Sequence, residues 1–385
     1  MNDIEIKKAQ KKHKRIQRRW RVLQALSRLL IYPLFNLVNE QVDVEGPIIL
    51  ISNHVTSWDP FIVAMSLNHK QVYYVAGEHL FRMGIVSKLI RFLFDPISRR
   101  KGTVGRDTVK LCLTHIREGH SICIFAEGGL CWDGISQSIV PSTGKLIRTA
   151  GATLVTYRLE GAYLALPRWR RNITRGKIYG HPVNVYTPDR LHQMTPEQIN
   201  ESIEHDIYEN CWERQKSDPV IYKQHRRAEG LERMLYMCPE CGKIGGLATK
   251  DNSITCSCGM TNSLSSTGFF EKTEHFSNIS EWDRWERERL SKLDFPHEDY
   301  LFADEDLILT KVDADHNEIS AGRGRLIQYE DKLEICGKVF PENELTHMAM
   351  AFTNRLFFSC KKEYYQIRTD KGTNLRKYYE YWKVI

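Results

Sequence analysis

The sequence has no apolar run long enough to cross a lipid bilayer. Its most apolar stretch, residues 23–38, is interrupted by Arg28 and Pro33 and is shorter than the ~20 residues that a membrane-spanning helix needs. The first residues also lack the small-residue cleavage site of a signal peptide. The sequence therefore predicts neither a membrane-spanning helix nor export.

Beyond its first 30 residues the chain carries almost no net charge. The 385 residues sum to +7. Residues 1–30 contain ten Lys and Arg residues and two acidic residues, a surplus of +8, so the rest of the chain sums to −1. Such a local basic block suits an anionic surface, either phospholipid headgroups or nucleic acid.

The apolar stretch that follows the basic block favours a lipid surface. A basic helix that continues into an apolar stretch, with Trp20 and Tyr32 along it, is typical of a helix that lies in the membrane interface. A solvated basic tail leading into a core helix gives the same pattern, and the sequence leaves that alternative open. We expect residues 1–40 to seat the protein peripherally on phospholipids at the cytoplasmic face of a membrane.

The ten cysteines do not show the pattern of a secreted disulfide scaffold. Four of them lie within residues 238–258, and the other six are scattered along the chain. In a chain without a signal peptide, scattered cysteines indicate reduced thiols in a cytosolic protein.

Residues 45–190 alternate short apolar strands with helical patterns, which predicts an α/β layer fold. Beyond residue 267 the sequence changes to short strand-like runs separated by turns, and it shows neither an internal repeat nor a low-complexity tract. We therefore predict an α/β domain over residues 41–225 and a small β-rich accessory domain over residues 267–385. We expect one helix to start at Pro60 and four further helical segments to cover residues 81–94, 103–118, 145–150 and 195–235.

His54 and Asp59 follow a strand predicted over residues 47–52. On one continuous helix, side chains five residues apart lie ~140° apart around the axis, so this pair needs a loop. Asp59 as N-cap and Pro60 as first helical residue would supply it. A carboxylate on one imidazole nitrogen makes the other more basic, so His54 could take a proton from an alcohol that attacks a thioester. A loop histidine beside a helix-capping Asp is the alternative that the spacing alone favours.

Two further segments place ligand-binding residue types at strand ends. Glu127 and Gly128 follow a predicted strand over residues 121–125, which is where open α/β sheets contact ligands, and glycine lets backbone N–H groups approach an anion. A second strand-like run ends in Arg99, Arg100 and Lys101, whose cations suit a phosphate. Each segment taken alone is equally compatible with a solvated turn.

Together and in this order, these segments resemble the glycerolipid (phospholipid/glycerol) acyltransferase family. That family carries Asn-His-x4-Asp, a strand ending in Arg, Phe-Pro-Glu-Gly-Thr, and an apolar strand with Val-Pro. The corresponding segments here are residues 53–59, 96–99, 125–129 and 154–157, and the likeness extends over about residues 30–215.

The resemblance implies an αβ layer fold with N-terminal interfacial helices, an acyl donor on coenzyme A or acyl carrier protein, and a glycerol phosphate or lysophospholipid acceptor. By family default the acceptor is 1-acyl-sn-glycerol 3-phosphate. His54 would be the general base, assisted by Asp59. The implied substrate-binding residues are Asn53, Arg99, Glu127 and Gly128.

The sequence departs from the family pattern at three positions of the acceptor pocket. Ala126 replaces Pro, Gly129 replaces Thr or Ser, and Thr156 stands where Pro is usual. The catalytic pair is intact, so activity is expected. Because the three departures fall in the pocket expected to bind the acceptor, a non-phosphorylated lipid acceptor is an alternative to the phosphorylated one.

Cys238, Cys241, Cys256 and Cys258 form two knuckles separated by 14 residues. Such turns direct four sulfurs at one point, which is the tetrahedral set that zinc prefers, and residues 232–262 resemble a zinc ribbon. We expect a structural Zn²⁺, since four protein ligands leave no open position; an iron–sulfur centre or free thiols are the alternatives.

The ribbon also allows a rival function, a zinc-dependent binding or scaffold protein with a degenerate enzyme domain. Binding to nucleic acid would call for a basic surface, and the sequence near the ribbon is not distinctly basic. We therefore expect no nucleic-acid partner.

Overall fold

The computed structural model describes residues 3–67, 70–100, 105–223, 225–293, 300–313 and 316–384. Of the described residues, those up to Arg100 together with 105–167 and 173–220 form one compact unit, and residues 168–172 together with those from 221 onward form a second. The cysteine knuckles and the C-terminal β-rich region therefore fall in the same unit.

The first unit alternates helices and strands, as predicted. Its helices are α1 (Asp3–Phe35), α2 (Asp59–Met65), α3 (Ile85–Phe94), α4 (Arg106–Arg117), α5 (Thr143–Ala150), α6 (Ala162–Ala165), α7 (Pro188–Gln193), α8 (Pro196–Ile207) and α9 (Cys211–Ser217). Its strands are β1 (Leu37–Asn39), β2 (Ile48–Ser52), β3 (Val72–Gly77), β4 (Ile97–Arg99), β5 (Ser121–Ile124), β6 (Thr153–Glu160) and β7 (Ile178–Tyr186).

These seven strands form one sheet in the order β1-β7-β6-β2-β5-β3-β4. The five strands from β6 to β4 are parallel, whereas β7 runs antiparallel to β6 and parallel to β1. All five residues of β2 are fully buried, as an inner parallel strand covered on both faces requires. The carboxyl ends of the five parallel strands consequently share one edge of the sheet.

The elements of this unit differ from the sequence predictions in two respects. The helix expected over residues 195–235 stops at Ser217, and α8 and α9 are separated by Tyr208 and Asn210 in extended conformation. Strand β7 was not predicted, because it contains Gly180 and Pro182, which weaken a strand pattern. Strand β7 accommodates Pro182 at a bulge of its own: Asn184 and Pro182 pair with the consecutive residues Thr156 and Tyr157, which leaves Val183 as the extra residue.

Helix α1 is amphipathic. It buries Ile16, Trp20, Ile31 and Phe35 and exposes a row of apolar side chains, namely Val22, Leu26, Leu29 and Leu30. Helix α3 packs beside it, with the Trp20 and Phe94 rings 5.3 Å apart, and likewise exposes Ile85, Val86, Leu89 and Phe92. In the described part of the chain, no helix is long and apolar enough to cross a bilayer.

The second unit contains a three-stranded hairpin sheet and a seven-stranded antiparallel sheet, which confirms the predicted β-rich region. Its elements are β8 (Leu247–Lys250), β9 (Ser253–Cys256), β10 (Thr261–Ser263), α10 (Ile279–Leu290), β11 (Phe302–Val312), β12 (Glu318–Gln328), β13 (Lys332–Ile335), β14 (Lys338–Pro341), β15 (Leu345–Ala351), β16 (Arg355–Cys360), β17 (Glu363–Arg368) and α11 (Arg376–Val384). The large sheet has the order β14-β13-β12-β11-β17-β16-β15.

Candidate active site

The loops after β2 and β5 meet at the carboxyl edge of the parallel sheet. Ile51 of β2 is paired with Ile124 of β5, and His54 and Glu127 each lie three residues further on. Equal offsets from a parallel register bring the two residues side by side. The His54 backbone N–H accordingly donates to Glu127 Oε1 at 2.7 Å.

His54 and Asp59 form the predicted pair. His54 Nδ1 lies 2.9 Å from Asp59 Oδ2, and the carboxyl group is fully buried while the imidazole is 21% exposed. The imidazole ring stacks on Phe125, with 4.2 Å between ring centroids. Of the two ring nitrogens, Nε2 is the one left for a substrate hydroxyl, because Asp59 occupies Nδ1.

The Asp59 carboxylate organises the loop that carries His54. Its Oδ2 also accepts hydrogen bonds from the backbone N–H groups of Val55 and Thr56, at 2.6 and 2.9 Å. Its Oδ1 accepts the Thr56 hydroxyl at 2.8 Å. Four donors on one buried carboxylate fix its position.

The predicted N-cap role of Asp59 was wrong. Helix α2 begins at Asp59 itself, its N-cap is Trp58, and no side chain caps it. The Asp59 carboxylate turns backward to the loop instead, where the His54 imidazole, the N–H groups of Val55 and Thr56 and the Thr56 hydroxyl bind it. Pro60 falls within the first turn, where its missing N–H costs nothing.

Glu127 is buried, and both of its carboxyl oxygens accept backbone N–H groups. Oε1 binds His54 N, and Oε2 binds Gln137 N at 2.8 Å. Burial raises the pKa of Glu127 to about 8, and the two N–H bonds oppose that increase. The carboxyl group thus joins the His54 loop to the segment after β5.

Position 128 requires glycine because of its backbone conformation, and not because a side chain would lack space. Its φ of +73° lies in the left-handed region, and an added Cβ would meet only Val140, at 3.6 Å. Its N–H donates to Phe125 O at 3.1 Å and closes the turn after β5.

Asn53 is fully buried and ties two strands of the sheet together. Its Nδ2 donates to Leu159 O, and its Oδ1 accepts from Leu159 N, both at 2.8 Å. This paired contact joins the end of β2 to β6 and anchors the first residue of the His54 loop.

Arg99 ends β4, at the same edge of the sheet as His54 but three strands away. At ~4.8 Å between strands, β4 lies ~14 Å from β2, so Arg99 does not join the His54 cluster directly. Partial burial lowers the pKa of its guanidinium, and no carboxylate pairs with it among the residues that the structure describes. Its side chain runs so close to Gly105 that a Cβ there would overlap it.

The sequence reasoning missed the residues that follow β3, between Glu127 and Arg99 along the edge. Glu78 and His79 are buried there, and Arg82 pairs with Glu78 at 3.0 Å. A signal was available, since Glu78 and His79 directly follow strand β3 as Asn53 and His54 follow β2.

Two of the positions that depart from the family pattern are interior packing positions. Ala126 is buried in the core of the first unit. The Thr156 hydroxyl donates to Asp206 Oδ2 at 2.8 Å, and Asn184 and Tyr186 bind the same buried carboxylate. A proline in place of Thr156 would leave this network one donor short.

The four cysteines of the second unit converge as predicted. Their sulfurs all lie within 4.8 Å of one another, with Cys238 to Cys258 at 3.7 Å and Cys241 to Cys256 at 3.8 Å. A tetrahedron with Zn–S bonds of about 2.3 Å has edges of about 3.8 Å. The donor set and its spacing therefore fit a tetrahedral zinc ion.

The first knuckle is attached to helix α10. Glu286 Oε2 accepts the backbone N–H groups of Tyr236 and Met237, at 2.8 and 3.1 Å. The Trp282 indole N–H donates to Met237 O at 2.9 Å. The knuckle therefore starts from a fixed, buried position immediately before Cys238.

Comparison with known proteins gives a match to a family model and distant likenesses to solved structures. Residues 35–160 match the family model described as Acyltransferase. A crystal structure of the 1-acyl-sn-glycerophosphate acyltransferase PlsC from Thermotoga maritima shares 18% identity and covers 54% of this chain and 80% of its own, with a TM-score of 0.42. At that similarity the structure carries no argument about a substrate. No curated protein matches the chain.

Proposed function

We propose, from the match of residues 35–160 to the family model described as Acyltransferase, that the protein transfers a fatty acyl group from an acyl thioester to a hydroxyl group of a glycerolipid. The observation that carries the proposal is the His54–Asp59 pair, 2.9 Å apart at the shared edge of the parallel strands. The donor carrier is coenzyme A or acyl carrier protein.

In the proposed reaction His54 Nε2 takes the proton of the acceptor hydroxyl as its oxygen attacks the thioester carbonyl carbon. The tetrahedral intermediate then collapses, the carbon–sulfur bond breaks, and the proton passes from Nε2 to the leaving thiolate. Asp59 holds the ring through Nδ1 and stabilises the imidazolium that forms between these steps. A positioned general base of this kind contributes on the order of 10²–10⁴-fold to the rate.

The proposed acceptor is 1-acyl-sn-glycerol 3-phosphate. Arg99 is the candidate phosphate ligand, because its guanidinium is partly buried at the substrate edge and a phosphate would satisfy it in bidentate fashion. The ~14 Å between β2 and β4 leaves room for a glycerol backbone between base and phosphate. Asn53, Glu127 and Gly128 would act indirectly, by fixing the loops beside His54 against which the acceptor binds.

Membrane seating at a cytoplasmic face is the second part of the proposal. The exposed apolar rows of α1 and α3 adjoin basic side chains, and the Arg19 guanidinium lies over the Phe92 ring at 3.9 Å. An apolar row flanked by cations suits the interface of an anionic bilayer. Helix α3 is thus a second proposed membrane contact, beside residues 1–40, which the sequence alone predicted.

The third part of the proposal is a structural Zn²⁺ on Cys238, Cys241, Cys256 and Cys258. When bound, the ion would cross-link the two knuckles of the hairpin sheet and stabilise their fold. It has no part in acyl transfer.

The test is an acceptor panel with purified protein and a long-chain acyl-coenzyme A. Glycerol 3-phosphate, 1-acyl-sn-glycerol 3-phosphate and a monoacylglycerol are compared, with acyl carrier protein as alternative donor carrier. We expect the lysophosphatidate to be acylated, His54→Ala to abolish transfer, and the exposed His192→Ala to retain it. Acylation of no acceptor would favour a non-enzymatic scaffold, and acylation of monoacylglycerol alone would overturn the phosphate role of Arg99.

A further inference from the structure

A second cluster of metal-binding side chains lies at the opposite edge of the parallel sheet from His54. His115, Glu118 and His120 come from the end of α4 and the residue before β5. Their ligand atoms all lie within 4.8 Å of one another. The acyl-transfer reaction proposed above uses none of them.

The backbone brings these residues together through a Schellman motif, a common way of ending a helix. Gly119, with φ of +79°, reverses the chain, and its N–H donates to Ile116 O at 2.9 Å. The His120 N–H donates to His115 O at 2.9 Å. In this motif the side chains at the positions of His115 and His120 face each other and are commonly apolar. Two imidazoles occupy them here.

The distances between the ligand atoms fit a small divalent ion. His115 Nδ1 and His120 Nδ1 are 3.3 Å apart, and His120 Nδ1 lies 3.5 Å from a Glu118 carboxylate oxygen. Zn–N and Zn–O bonds of about 2.0–2.2 Å give tetrahedral edges of about 3.3–3.6 Å. These two distances match edges of a zinc tetrahedron, and the third pair, His115 and Glu118, lies within 4.8 Å.

Neighbouring rings hold both imidazoles in place. The Tyr73 ring lies against His115 with 4.1 Å between centroids, and the His13 ring of α1 stacks on His120 at 4.0 Å. A hydrogen bond of 2.8 Å between His13 Nδ1 and the Tyr73 hydroxyl closes this arrangement. The ligands are therefore preorganised, while the carboxyl group of Glu118 stays about one-third exposed.

We propose that His115, Glu118 and His120 bind a Zn²⁺ ion at the amino-terminal edge of the sheet. Two imidazoles and a carboxylate are a ligand set that zinc accepts, and three protein ligands leave one coordination position for water or an exchangeable ligand. The ion lies the length of β5 away from Glu127, so it is structural or regulatory. Through the ring of His13 it would fasten α1 to the sheet.

Calorimetric titration of the full-length protein with Zn²⁺ tests this, after the cysteine site has been loaded and free metal removed. We expect one further ion per chain. His115→Gln and His120→Gln should weaken its binding by more than the roughly 10–100-fold that loss of an outer-shell partner costs. Glu118→Gln should weaken it as well, and because Glu118 is partly exposed this variant is safe for the fold. The exposed His192→Gln is the matched control.

A Co²⁺ titration identifies which donors hold the further ion. Cobalt in this site should lack the thiolate charge-transfer absorption that the cysteine site gives, and the signal should persist in Cys238→Ser. The proposal is overturned if the wild type takes up no further ion, or if the Glu118 and His120 variants bind it as the wild type does.

Discussion

Replacing Asp59 by Asn isolates the charge of the catalytic pair from its hydrogen bonds. In the Asn variant the amide oxygen can take the place of Oδ2 and still accept from Val55 N and Thr56 N. The amide NH₂ then faces the Thr56 hydroxyl, which can rotate to accept. The loop therefore keeps its geometry, and only the negative charge beside His54 is lost.

The size of the effect follows from the 2.9 Å between His54 Nδ1 and Asp59 Oδ2. With an effective dielectric constant of about 20, a carboxylate attracts an imidazolium at that distance by about 6 kcal/mol. In the variant a neutral hydrogen bond worth ~1 kcal/mol remains, and solvent screens the attraction at the partly exposed imidazole. Both reduce the expected loss below ~6 kcal/mol. We expect kcat to fall on the order of 10²–10⁴-fold, which corresponds to ~3–5 kcal/mol.

Asp59→Ala is the companion variant. It leaves the N–H groups of Val55 and Thr56 without their acceptor, at ~1–3 kcal/mol for each buried donor. Asp59→Ala should therefore be markedly less stable in urea unfolding than the wild type, and Asp59→Asn only slightly so. Both should be slow in the acyl-transfer assay with the acceptor identified by the panel.

Two results would refute this reasoning. If Asp59→Asn turns over at the wild-type rate, the carboxylate charge does not assist His54. If Asp59→Ala is as stable as Asp59→Asn, the buried carboxylate does not organise the loop.

Three further perturbations have defined outcomes. Burial raises the pKa of Glu127 from 4.5 to about 8, so the folded state binds this proton more tightly than the unfolded state does. The contribution of Glu127 to the free energy of unfolding is full below about pH 4.5 and is lost as pH rises to about 8, by up to ~1.4 kcal/mol per pH unit. Urea unfolding at several pH values should show this fall in the wild type and not in Glu127→Gln. An equal fall in both proteins would contradict the prediction. Cys238→Ser should lose the cysteine-bound zinc by metal analysis, and chelation should raise hydrogen exchange in the knuckles while Met237 stays protected; unchanged exchange would exclude a structural ion. Leu29→Glu and Ile85→Glu should each weaken binding to anionic liposomes, since each removes a side chain worth ~1.5–3 kcal/mol when buried, whereas Val339→Glu, at an exposed apolar residue of the second unit, should not; binding unaffected by Ile85→Glu would exclude α3 from the interface.

The catalytic pair and the parallel layer were predictable because their signals are local. Four of the five residues of β2 are isoleucine or leucine, and His54 and Asp59 lie in the short loop and helix start that follow it, so one local stretch of sequence indicates both the strand and the pair. The four cysteines were predictable for the same reason, since each knuckle brings its sulfurs together within a few residues.

The contacts that depend on distant partners were not predictable. Nothing near Glu127 in the sequence indicates that its oxygens accept His54 N and Gln137 N, because that depends on how β2 and β5 are paired. Thr156 looks like a simple departure from a family motif until Asp206 is found beside it. Strand β7 forms despite Pro182 because it bulges at Val183, next to the proline, where it pairs with β6.

Asn53 and His54 are neighbours in the chain, but their variants would fail at different stages in a cell. Loss of the paired bonds to Leu159 leaves buried backbone groups unsatisfied, and a loss of only ~1–2 kcal/mol can lower the amount of folded protein several-fold. A His54 variant would accumulate normally and be inactive. An activity screen in whole cells would score both positions alike, and only measuring protein abundance would separate the residue that folds the site from the residue that performs the chemistry.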